Sequence, residues 1–334
     1  MKKLILLALC FTTLTVLNSS AKIWRVNSAG LPADFTTIQA AHDAASVAAG
    51  DTLHIEPSTV SYGNLTSTKK LIIIGPGYFL NENSGQQANP TTATIGRLIL
   101  NSGSDGSLIT GLTITTSGNA HEINTGNITI SRNDFKGSHI YMSGSSSYSN
   151  VIISGNYGIG TVYYSSSSEL LITNLFILNN VVTSLGLTNQ FSGTIANNVI
   201  GSSNIRISNF IIKNNICIDG QWQTVFVGSN NTISNNISAA NGGLPAGNGN
   251  QNYVSMANVF VGLSGNSTDG QYQLKLNSPA IGAGLNGEDC GIFGGNTPYH
   301  LSGLPKIPSV YLLTAPTNSN GPTLPVTISV KTNN

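Results

Sequence analysis

The feature that most constrains this chain is a short phrase that returns six times. It reads Ile130-Ser131-Arg132-Asn133, Ile153-Ser154-Gly155-Asn156 and Ile177-Leu178-Asn179-Asn180, then Ile195-Ala196-Asn197-Asn198, Ile212-Lys213-Asn214-Asn215 and Ile233-Ser234-Asn235-Asn236. The final Asn residues, Asn133, Asn156, Asn180, Asn198, Asn215 and Asn236, lie 23, 24, 18, 17 and 21 residues apart. A unit of roughly 20 residues repeated at loose spacing is the signature of a solenoid, in which each unit stacks on its neighbours.

The segments between these Asn positions are short and β-branched, as in Ile128-Thr129-Ile130, Val151-Ile152-Ile153, Leu170-Leu171-Ile172 and Ile205-Arg206-Ile207. Each is too short for a helix and is bounded by Ser, Gly or Asn. Asn tolerates left-handed backbone and bonds its own backbone, so it suits a sharp corner between strands. Stacked at one corner, the amides can form a ladder from coil to coil. A leucine-rich repeat has a similar period but needs regularly placed Leu and often a helix per turn. The pattern predicts an all-β parallel β-helix.

Charged residues are only 8% of the chain, against roughly a quarter in ordinary globular proteins, while 40% are hydrophobic. That balance argues against disorder. A formal net charge of +1 without a basic stripe gives no reason to expect nucleic acid.

Residues 1–21 read as an export signal: Lys2 and Lys3, an apolar core from Leu4 to Leu17, and the small residues Ser19-Ser20-Ala21. Cys10 follows Leu9, which argues against a lipid anchor, and no later stretch is long enough to span a bilayer. The expected product is secreted, periplasmic or surface-located, and monomeric. Cys217 and Cys290 suggest neither a disulfide framework nor a metal site.

Residues 22–80 are expected to form the cap and first coils. Thr36 and Gln39 suggest a capping box opening a helix over 35–49, with Phe35, Ile38, Ala41, Ala45 and Ala48 on its buried face. An open solenoid end exposes its apolar column, so a plug is required there. The β-helix is expected over 81–305 and a strand-like extension over 306–334.

The run Phe35-Thr36-Thr37-Ile38-Gln39-Ala40-Ala41, then Gly50-Asp51-Thr52-Leu53 and Lys70-Leu71-Ile72-Ile73-Ile74-Gly75, resembles the entry of right-handed parallel β-helix proteins of the pectin-lyase-like type. Ser278-Pro279-Ala280-Ile281-Gly282-Ala283-Gly284 and Asp289-Cys290-Gly291-Ile292-Phe293-Gly294 are similar to the last coil of exported bacterial members. The combination resembles uncharacterised secreted members from Bacteroidetes-type bacteria. The resemblance implies a right-handed coil and leaves activity open, because the same fold serves lyases, hydrolases, isomerases and adhesins.

Members that cleave acidic polysaccharides carry clustered carboxylates for calcium, a basic residue, or paired acids. Over 106–240 there are four acids, Glu122, Asp134, Glu169 and Asp219, scattered across the repeat phase, and the family's hydrolase and lyase signatures are missing. The candidate catalytic residues are His121, Glu122, Asp134 and His139, which lie with Arg132 and Lys136 within 19 residues. Matched registers would place His121 and His139 side by side in consecutive coils, a spacing suited to proton transfer or metal binding. A solvated face with compensating charges is the plainer reading.

A second candidate is a row of outward side chains. Strand alternation places Tyr141, Tyr163, Arg206 and Phe226 outward on successive coils, where stacked rings beside an Arg suit sugar faces. Cross-strand stacking alone also enriches aromatic residues on sheets. Gly103-Ser104-Asp105-Gly106-Ser107-Leu108 resembles one copy of a calcium-binding nonapeptide coil, so calcium is the only cofactor suggested. The functional expectation is an exported, non-catalytic scaffold binding glycan or a partner. A structural envelope or adhesive protein and a polysaccharide-active enzyme are the alternatives.

Overall fold

The computed structural model describes residues 21–116, 120–164, 170–202, 205–220, 226–318 and 321–333. The expected signal segment, apart from Ala21, lies outside these residues, as do the serine tract at 165–168 and Glu169. The chain winds into a parallel β-solenoid of about 8 turns. Among the described residues, sheet A has ten strands, from Ile23–Val26 to Thr232–Ser234. Sheet B has eleven, from Leu65–Ser67 to Ile237–Ser238, with Ile205–Arg206 and Phe226–Val227 on a side branch from Val181–Gly186.

Register aligns one inward position through all of sheet A: Trp24, Leu53, Ile73, Ile109, Ile130, Ile153, Ile177, Ile195, Ile212 and Ile233. Such β-branched columns fill the pleated interior and exclude water from the inter-coil bonds. Three residues after each of the last six Ile stands the ladder Asn. The backbone N–H of Asn156 donates to Asn180 Oδ1 (2.9 Å), while Asn156 Nδ2 donates to Asn180 Oδ1 (3.0 Å) and to Ile130 O (2.9 Å). This scheme runs from Asn133 to Asn236 and gains a seventh rung at Asn250, outside the phrase.

The sequence assigned corner geometry and ladder to the same Asn, and the structure separates them. Left-handed φ belongs to the preceding residue: Arg132 (56°), Gly155 (62°), Asn179 (54°), Asn197 (57°), Asn214 (57°) and Asn235 (55°). Asn is favoured there because its short amide tolerates this region.

The N-terminal helix is shorter than the 35–49 expected. It spans Ile38–Asp43, with Thr37 as N-cap, its side chain accepting from Ala40 N. Gln39 does not form a capping box with Thr36; it accepts instead from Thr66 N (2.8 Å). Ala44 is already extended, and Lys69 Nζ donates to the carbonyls of His42 and Val47. That tertiary contact takes over the end of the helix. Consequently Ala45 and Ala48 are exposed, and Val47 is buried in their place.

Among the described residues, sheets A and B gain no strand after Ile237–Ser238. After Ile237–Ser238 the chain passes through the short helix Met256–Val259, and segment 283–304 runs back along the outside of the solenoid. The left-handed residues hold this strap in order. Asn235 Nδ2 donates to Ala283 O (3.0 Å), Asn214 Oδ1 accepts from Leu285 N (2.9 Å), and Asn197 Nδ2 donates to Asp289 O (3.1 Å). Asn179 Nδ2 bonds Ile292 O and Gly294 O, and the Arg132 guanidinium bonds Leu304 O. Of the two segments expected to form the last coil, 289–294 lies within this strap and 278–284 leads into it. Under it lies a second core of Val199, Ile216, Ile237, Cys290, Ile292 and Tyr299. Gly291 approaches Ile216 so closely, at φ 85°, that a Cβ there would lie 2.7 Å from Ile216 Cδ1.

Candidate functional site

Two surfaces carry convergent chemistry. On the outer face of sheet B, Tyr141 pairs with Glu122 on one side and Tyr163 on the other. The two tyrosine rings are 4.9 Å apart and inclined at 50°, and the exposed His139 ring lies 5.9 Å from Tyr163. Glu122 forms an ion pair with Arg97, a pair the sequence reading missed because Arg97 sits one coil earlier. Beside it, Asn124 Nδ2 bonds Asn101 Oδ1 (2.8 Å), and Ser143 Oγ donates to Asn124 Oδ1. Partial burial raises the Tyr163 hydroxyl pKa, helped by Tyr141 and Glu122.

The row continues past Tyr163 to Gly186, then by backbone pairing to Arg206, whose side chain lies outside the described set. Phe226 departs from expectation. It pairs with Ile205 rather than Arg206, so it points inward and is buried. A one-residue change of register moves a side chain to the other face.

The four candidate catalytic residues do not converge. His121 aligns with Ile140, so its side chain faces the core while His139 faces solvent. His121 Nδ1 accepts from Leu98 N (3.1 Å), its ring packs against Phe135, and its buried Nε2 has no hydrogen-bond partner. Burial, with Arg97 and His139 nearby, lowers its pKa to about 4. Glu122 is held by Arg97 on the outer face. Asp134 lies on a third face, bridged to Thr113 and Tyr157.

That third face borders the second surface, a cleft of about 270 Å³ lined by Phe79, Glu82, Thr92, Thr94, Thr113 and Lys136 among others. Lys136 Nζ lies 2.8 Å from Asp134 Oδ2, which has no aligned hydrogen bond, and 4.7 Å from the centre of the Phe79 ring. Burial raises the Asp134 pKa against the opposing pull of Lys136. Phe79 and Lys136 both adopt φ 49°, a strained conformation for large side chains that recurs at ligand sites. The sequence reading missed this cleft, since loop 78–92 meets Lys136 only in the folded chain.

Asp105 bonds Thr125 Oγ1 (2.7 Å) and Gly103 N, as a turn residue does. Among the described residues no group of three or more His, Cys, Asp or Glu gathers as a metal site would require, and no helix is long and apolar enough to cross a membrane. Cys217 and Cys290 are buried free thiols. No family model, curated protein or solved structure matches the chain.

Proposed function

We propose that this chain is an exported, non-catalytic β-solenoid that binds glycan through the Tyr141–Tyr163 face of sheet B. The observation that carries the reading is the pair of partly exposed rings 4.9 Å apart on a rigid sheet, flanked by His139, the Arg97–Glu122 pair and the Asn101–Asn124–Ser143 amide and hydroxyl row. Ring faces meet the C–H surface of a sugar, and the adjoining polar groups meet its hydroxyls. Export rests on the character of residues 1–21. The separation of His121 in the core and Asp134 on a third face from Glu122 and His139 on the outer face of sheet B supports binding over catalysis.

The test is titration of the chain from Lys22 onward against a polysaccharide panel, with and without calcium and EDTA, while products are monitored. The expected result is saturable binding without turnover, weakened at least about tenfold by combined Tyr141→Ala and Tyr163→Ala with an unchanged melting temperature. Binding that survives the double substitution overturns the assigned face. EDTA-sensitive turnover overturns the non-catalytic reading.

A further inference from the structure

The C-terminal hairpin, Ser309–Thr314 with Thr327–Lys331, turns its apolar face to solvent. Its register pairs Val310 with Val330, Leu313 with Ile328, Leu312 with Ser329 and Thr314 with Thr327, with an irregularity between Val310 and Leu312. Opposed residues share a face and successive residues alternate. Val310, Leu313, Ile328 and Val330 therefore form one face, exposed by 38%, 58%, 59% and 58%. The other face is anchored: Ser309 Oγ donates to Gln86 O, and Lys331 Nζ donates to Gly85 O (2.8 Å) and Gln86 Oε1 (2.7 Å). An antiparallel sheet ordinarily buries its apolar face and wets its polar one, and here the arrangement is reversed. In the described sheets each strand pairs only with the other, and a two-stranded hairpin is marginal by itself.

We infer that this face is a homodimer interface, covered by the same face of a second copy. From Ile307 to Val330 there is no Asp, Glu, Lys or Arg. Two copies therefore meet without like-charge repulsion, whereas a charged protein or an anionic lipid surface finds no complementary charge. Insertion into a bilayer is disfavoured because the open strand edges would carry unpartnered backbone groups into hydrocarbon. The area also fits. With Leu324 and Val326, each about half exposed, this side offers on the order of 500 Å² of apolar side chain, at the low end of what a specific interface buries per partner. A two-fold pairing is closed, so it yields dimers rather than filaments.

Sedimentation velocity of the full chain over a range of concentrations tests the proposal. The expected result is a dimer whose dissociation constant rises at least about tenfold when Leu313→Lys and Ile328→Lys are combined, with unchanged melting of the solenoid. Leu276→Lys, at a side chain 90% exposed elsewhere on the surface, should leave the dimer intact. Should the lysine pair disturb folding, Leu313→Thr with Ile328→Thr keeps strand propensity and answers the same question. A chain that stays monomeric at high micromolar concentration, or a dimer that survives both pairs, overturns the proposal. So does a monomer that floats with phosphatidylcholine vesicles, which would assign the face to lipid.

Discussion

The hydroxyls of Tyr78 and Tyr299, 221 residues apart, share a hydrogen bond of 2.7 Å. Tyr299 also donates to Asp269 Oδ2 (3.2 Å), and that buried carboxylate accepts from Ser302 N (2.7 Å) and Asn83 Nδ2 (2.9 Å). Three distant segments meet at this point, and the strap is pinned to the loop that walls the cleft. Tyr299→Phe should cost about 2 kcal/mol, since it keeps the ring but leaves the buried Tyr78 hydroxyl without its partner. Asp269→Ala should cost about 3 kcal/mol or more because it orphans several buried donors. Urea unfolding measures both, and equal losses would show that Asp269 is not the hub.

Adjacent Asn residues should respond differently. Asn198 Oδ1 accepts both from Asn180 N (2.9 Å) and from Asn180 Nδ2 (3.1 Å), and Asn198 is fully buried. Asn198→Ala should cost about 3 kcal/mol by leaving those donors without partners. Asn197 bonds the strap from a left-handed position, so Asn197→Gly should cost about 1 kcal/mol, the lost bond being partly offset by the freedom of Gly at positive φ. A larger loss at 197 than at 198 contradicts the division of roles.

His121 should make stability depend on acidity. Its pKa is lowered from 6.5 to about 4 in the folded chain, so between those values the unfolded state binds more protons. Stability is therefore full above about pH 6.5 and declines as pH falls toward 4, by about 3 kcal/mol in the limit. Burial also lowers the His54 and His300 pKa values, which adds to the same trend. The difference between wild type and His121→Gln isolates the His121 part. Parallel curves of unfolding free energy against pH for the two proteins would refute it.

The two thiols report on the strap. Cys217 lies inside the solenoid and Cys290 beneath the strap, where burial pushes its thiol up to about 12. Neither should react with a thiol reagent in the native protein. In low urea Cys290 should label before Cys217, because the strap can lift while the coils remain stacked. Simultaneous labelling would indicate a single cooperative unit.

The candidate binding face was partly legible in the sequence. Tyr141 and Tyr163 follow from strand alternation around Ile140 and Val162, which needs only the local period of two. Arg97 was not legible, because it reaches Glu122 from the preceding coil. Phe226 and His121 were misplaced for one reason: each depends on a register that shifts by a single residue between coils.

The sequence by itself determined the stack of coils and the phase of its Ile and Asn columns, because those contacts repeat between immediate neighbours and are written into every copy. Tertiary structure alone decided the rest. The helix stops at Asp43 where Lys69 takes the carbonyl of His42 and ties it to that of Val47 beyond the helix. The apparent last coil becomes a strap because Val199, Ile216 and Ile237 face outward and need cover. The cleft exists because loop 78–92 meets Lys136. Each of these rests on contacts between distant, unrepeated segments, which no local period encodes.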